Sequence, residues 1–270
     1  MKKREIDILV ISDLHLGTHG CRAKRLLNYL STVKPKMLIL NGDIMDFWLL
    51  DMKKWKKSHS KVLKVFFNEM SRGIPVYYIT GNHDDYLRSF TGFKFNNFHL
   101  VDELIIDIDD KKHWFTHGDK FDKSVSGAIR KMAISAGKIF DQMIRLNKFV
   151  NRWQLFLGKT ETNYTKSLKD KTKSTVKKQN DFEFQNIEYA DKKGYDIVLC
   201  GHTHNPGRWE YDSKNKEGEK IIYYNSGDWM DNCTALEYNN KQWSIMKYQP
   251  KDKSIQNFLV NMSFEDEDIL

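Results

Sequence analysis

Residues 7–17 read DILVISDLHLG, a run of apolar side chains that stops at Asp13 and His15. The run has the length of a buried strand, and the residues after it are too polar to continue inside a sheet. The same arrangement recurs outward along the chain. MLIL at 37–40 leads into Asn41, Gly42 and Asp43, and PVYYIT at 75–80 leads into Gly81, Asn82, His83 and Asp84. HWFT at 113–116 leads into His117, Gly118 and Asp119, and DIVLC at 196–200 leads into Gly201, His202, Thr203 and His204. Between the first three runs, residues 23–33 and 53–70 carry helical spacing, as in Val62, Val65, Phe66 and Met70. Strand alternating with helix predicts an α/β fold whose polar strand ends meet in one crevice.

After residue 100 the strands shorten and crowd together: LIIDID, then IIYYNS, CTALEY and WSIMKY, which predict a second sheet with antiparallel connections. Residues 120–180 break this rhythm. There Ile139, Met143, Leu146, Val150, Trp153 and Leu157 recur at spacings of four and three, widened by Phe140, Ile144, Phe149 and Phe156. The predicted organisation is a core of residues 1–119 and 181–270 with a helical insertion over 120–180. That insertion holds fifteen Lys or Arg against four Asp or Glu, so it carries all of the chain's net charge of +8. It reads either as a helical cap docked on the core or as a lid. In a lid, the apolar side would meet an acyl chain or the membrane interface while the lysines met phosphates.

A chain of 270 residues with 40% apolar and 13% aromatic side chains can bury a substantial core, while 30% charge and a mean hydropathy of −0.64 exclude a polytopic membrane protein. The opening MKKREIDILVISD lacks the long apolar stretch and cleavage site of a signal peptide, so a cytoplasmic location is expected and any membrane relation is peripheral. Cys21, Cys200 and Cys233 form neither an even set nor a CxxC pair, which argues against a disulfide framework and a thiolate metal site.

The strand ends supply Asp13, His15, Asp43, Asn82, His117, His202 and His204: hard oxygens and imidazoles, the donors a two-metal hydrolase needs. Each short motif alone is common, and a lone His59, His99 or His113 reads as an ordinary packed or solvated side chain. The five motifs in this order resemble the calcineurin-like metallophosphoesterase superfamily. That resemblance implies a four-layer αββα sandwich of two mixed sheets. It also implies two divalent metal ions, with Mn(II) expected: Asp13, His15, Asp43 and His204 would hold the first and Asp43, Asn82, His117 and His202 the second, so that Asp43 bridges. In members with the GNH sequence the histidine, here His83, assists the leaving group. Asp46 matches the acid that orients it; the alternative for Asp46 is a helix N-terminal acid.

Within the superfamily, ISDLHLG, NGDIMDFW and the insertion between HGD and GHTH resemble the UDP-2,3-diacylglucosamine diphosphatases of lipid A synthesis. NYTKSL is similar to a substrate-contacting element of that group, which implies substrate contacts for Asn163 and Lys166, with Asn82 and Asp122 beside them. The implied substrate is an acylated sugar nucleotide, cleaved at its diphosphate on the cytoplasmic face of the inner membrane. One departure is His83, where that group commonly has arginine. The rival readings are a phosphodiesterase or nuclease of the same superfamily, with the basic segment on a polynucleotide, and a non-catalytic metal-binding scaffold. The wide apolar stripe favours lipid over nucleic acid; no oligomeric state can be read from the sequence.

Overall fold

β1 (Arg4–Ile11) is buried along its second half, as a strand covered on both faces must be. It runs parallel to β2 (Val33–Asn41), and the parallel series continues through β3 (Val76–Ile79) to β5 (Phe98–Val101). β4 (Lys94–Phe95) is an antiparallel edge on β5. On the other side of β1, β11 (Thr234–Asn239) pairs antiparallel with Leu9 opposite Glu237, and β12 (Gln242–Lys247) pairs with β11 in turn. The resulting order is β12-β11-β1-β2-β3-β5-β4. A second sheet holds β6 (Glu103–Ile108), β7 (Lys111–Thr116), β8 (Ile197–Cys200), β9 (Gly207–Asp212) and β10 (Lys220–Asn225) in the order β6-β7-β8-β10-β9. Its three central strands are parallel and its two edges antiparallel. This is a computed structural model, and it describes residues 3–50, 52–122 and 173–249, of which 173–182 by backbone alone.

Side-chain alternation turns these sheets into four layers. Ile8, Val10, Ile39 and Ile79 of the first sheet pack on Phe115, Leu199 and Tyr224 of the second. The outer face of the first sheet is covered by Leu26 and Tyr29 of α1 (Ala23–Leu30) and Val62 and Phe66 of α2 (Lys57–Ser71). On the far side, Trp114, Val198 and Tyr223 meet Ile187 and Ala190 of α3 (Lys173–Lys193). The fold is the αββα sandwich of two mixed sheets. Among the described residues no helix is long and apolar enough to cross a membrane.

Three details differ from the sequence reading. The helix expected over 23–33 ends at Leu30, because β2 already begins at Val33 and runs through Pro35 beside Ile6. The helix expected from residue 53 starts at Lys57, after a short turn at Met52–Lys54. CTALEY and WSIMKY join the first sheet, not the second: β11 is buried on both faces from Thr234 to Tyr238, and only a place beside the central β1 provides that cover. The helical stripe and the rest of the insertion before residue 173 lie outside the described residues.

Candidate metal centre

The carboxyl ends of β1, β2 and β3 in one sheet and of β7 and β8 in the other open on the same crevice, as switch-point geometry requires. The local backbone turns hard there. Asp13, His15, Asp43, His202 and His204 all have φ between 50° and 65°, the left-handed region that non-glycine residues seldom occupy. These are five of the eleven such residues among those described. Several of the others sit in hairpin turns, as at Asp109–Asp110 and Asn240–Lys241, where positive φ suits the twist of the strands. At the site His202 centres a tight turn closed by the Thr203 amide on the Gly201 carbonyl, and strain of this kind collects where function needs it. The glycines beside the donors fit the same crowding: a Cβ on Gly42 would overlap the His117 ring, and one on Gly81 would overlap Asp43.

The donor atoms converge in two groups. His204 Nε2 is 3.0 Å from Asp13 Oδ1 and 3.3 Å from His15 Nε2. Asn82 Oδ1 is 3.1 Å from His117 Nε2 and 3.0 Å from His202 Nδ1. Asp43 Oδ2 stands between the groups, 3.3 Å from His117 Nε2 and 3.8 Å from His15 Nε2. For a cation bound at about 2.1 Å, neighbouring octahedral ligands lie roughly 3 Å apart, so these spacings fit a divalent ion. Asp13, His15 and His204, and likewise Asp13, Asp43 and His117, each offer donor atoms within 4.8 Å of one another.

The far side of each ring fixes which nitrogen faces the crevice. His15 Nδ1 donates to Asp46 Oδ2 at 3.0 Å, and His117 Nδ1 donates to the Asn41 carbonyl at 3.0 Å. His202 Nε2 donates to Asp122 Oδ2 at 3.1 Å. Three imidazoles thereby turn their second nitrogen toward the same small space, where a cation can take the place of a proton. The residues present fit two hard divalent cations.

Charge is concentrated to match. Burial pushes the Asp43 carboxyl up, but His117, His83 and His15 hold it well below the usual range. Burial lowers His117, and Asp43 and Asp13 more than reverse it, raising it well above an ordinary imidazole. Cations entering the site would compete with these protons.

His83 lies at the rim, its Nδ1 3.0 Å from the same Asp46 Oδ2 that holds His15 and its amide donating to Asp43 Oδ1 at 2.8 Å. Burial lowers it, yet Asp43 and Asp46 bring it up to about 9. Asp46 caps no helix among the described residues; it accepts from His15 Nδ1 and from the Leu49 amide and lies in ion-pair reach of His83. Asp122 stands behind His202. Asn163 and Lys166 lie outside the described residues.

Other supports have little mark in sequence. Asp84 accepts the Gly81 and Ile44 amides and the Tyr78 hydroxyl, stitching the β2 loop to the β3 loop; burial and then Asp43 raise it to about 6. Arg88 reaches Asp119 at 3.0 Å and Asp102 at 2.7 Å, joining the loop after β3 to the one after β7. Only the acid in GNHD gave a sign, being one more polar residue at a strand end.

A UDP-2,3-diacylglucosamine hydrolase of Aliivibrio fischeri is 27% identical over 263 residues, 90% of this chain and 99% of that protein. One of Proteus mirabilis is 25% identical, over 73% of this chain and 82% of that protein. An archaeal phosphodiesterase of known structure is 16% identical, with a TM-score of 0.41, over 89% of this chain and 98% of that one. The family model for calcineurin-like phosphoesterases matches residues 6–206, a span that takes in every strand end from which the donors project. The chain belongs to that family and is a metal-dependent hydrolase.

Proposed function

We propose that this hydrolase cleaves the diphosphate of UDP-2,3-diacylglucosamine, releasing UMP and 2,3-diacylglucosamine 1-phosphate. The observation that carries the phosphoester chemistry is the double donor cluster joined through Asp43 Oδ2. For the substrate, support comes from the near full-length similarity to the Aliivibrio fischeri hydrolase. In this reading Asp13, His15, Asp43 and His204 hold one cation and Asp43, Asn82, His117 and His202 the other, with Mn(II) in the cell. When bound, such ions offset charge on the phosphoryl oxygens and acidify water.

The chain's own groups do the rest. Asp46 aims His83, whose Nε2 gives a proton to the leaving oxygen as its bond to phosphorus breaks. The attacking water forms the new P–O bond and loses a proton, so the proton count closes when solvent recharges His83. Asn82 and Asp122 border the substrate from the core. Residues 120–180 form a lid in which Asn163 and Lys166 meet the sugar nucleotide and the apolar stripe meets the acyl chains at the cytoplasmic membrane face. Each buried methylene contributes about 0.8 kcal/mol, so the lid would dominate affinity.

The test is metal-dependent UMP release from diacylated and deacylated substrate by the purified chain. Asp43→Ala should lower turnover by at least about a thousandfold. His83, in place of arginine, favours a second reading as a phosphodiesterase with another leaving group. Faster hydrolysis of single-stranded DNA than of the acylated sugar nucleotide would establish it and remove the first.

A further inference from the structure

The loop after β2 holds His83 from three directions. Asp46 meets Nδ1, the Phe47 amide donates to the His83 carbonyl at 3.0 Å, and the Trp48 ring lies over the imidazole face. The Trp48 and His83 centroids are 4.4 Å apart with planes tilted 31°, close to offset stacking. The His15 ring stands edge-on to His83, with centroids 4.6 Å apart and planes at 86°. An imidazole aimed by one oxygen alone can still swivel about that contact. Here the indole lies against one face of the imidazole and hinders rotation out of plane, while 22% of the side chain stays exposed. Nδ1 lies within ion-pair reach of Asp46 Oδ2, at 3.0 Å, which leaves Nε2 as the nitrogen to meet a substrate.

We propose that Trp48 is a positioning residue for proton donation by His83, acting through the imidazole and touching neither metal nor phosphorus. This rests on the leaving-group role given to His83 above. General acid catalysis matters in proportion to how badly the departing oxygen needs a proton, and this supplies a readout that a merely structural tryptophan would not move.

The experiment uses the full chain with Mn(II) and two esters of one nucleoside monophosphate, a p-nitrophenyl ester and a methyl ester. Trp48→Leu should lower kcat on the methyl ester by about 10- to 100-fold. On the p-nitrophenyl ester it should stay within about threefold, and KM within about twofold on both. Trp48→Phe, which keeps a flat ring, should recover most of the lost rate. His83→Gln should show the same ester preference, and combining it with Trp48→Leu should add no further loss. Equal loss on both esters in Trp48→Leu, with selective loss in His83→Gln, overturns the role of Trp48 alone, as does an additive double variant. Loss in His83→Gln that ignores the leaving group removes the acid role itself, and with it this proposal. Metal content measured on each variant verifies an intact centre.

Discussion

At the residue scale the centre depends on backbone geometry as much as on donor chemistry. Gly42 has φ +80 and stands where a Cβ would enter the His117 ring. Gly42→Ala should therefore cost about 2–4 kcal/mol in urea unfolding and reduce bound metal in elemental analysis. The donors themselves were legible in the sequence, because an apolar run that stops at Asp, Asn or His announces a strand end without any knowledge of the turn. Their supports were not. That Asp46 serves His15 as well as His83, that Asp122 backs His202 and that Trp48 covers His83 depend on how loops from different strands fold over one another.

At the element scale, the strand that sequence periodicity assigned to the wrong sheet is tied down by a polar knot. Glu237 on β11 takes two bonds from Arg4 of β1, at 2.6 and 2.7 Å, and one from the Tyr29 hydroxyl of α1 at 2.6 Å. Burial raises the Glu237 carboxyl, but Arg4 and Tyr29 outweigh it and leave it below the usual value. A carboxylate depressed in the folded state stabilises fully above the unfolded value, about 4.5, and loses that contribution as pH falls through the folded value. Arg4 is half exposed, so its share is screened by solvent. Glu237→Gln should then cost about 2 kcal/mol at pH 7 and progressively less as pH falls below about 4.5, measured by denaturant titration across that range. The short β-type run CTALEY revealed that β11 was a strand; its partner was fixed by long-range burial, which a local pattern does not contain.

At the scale of the whole molecule, the donors come from both sheets: Asp13, His15, Asp43 and Asn82 from one, His117, His202 and His204 from the other. Cations at the centre would therefore clamp the sandwich at one end. Chelation should slow no folding step but should lower the melting temperature, since ligand at about a hundred times its Kd adds roughly 2.7 kcal/mol. Hydrogen exchange should rise at residues 13–16, 42–46, 117–119 and 201–204 while the strands between Ile8 and Leu199 stay protected. Unchanged exchange at those loops would mean that the two sheets are held together there by packing alone. Strand order alone gave an α/β fold with a second sheet, and the four layers came from the family resemblance carried by the five motifs; the division of strands between the sheets was not legible.

The five left-handed donors also bear on how this chain tolerates change. Suppose every substitution at Asp13, His15, Asp43, His202 and His204 were scored by cellular abundance and not by turnover. Glycine and asparagine would then outrank alanine and valine, the reverse of the ranking along an ordinary strand. Selection for persistence alone would erode the centre along that route, leaving a well-folded sandwich with its crevice stripped of chemistry.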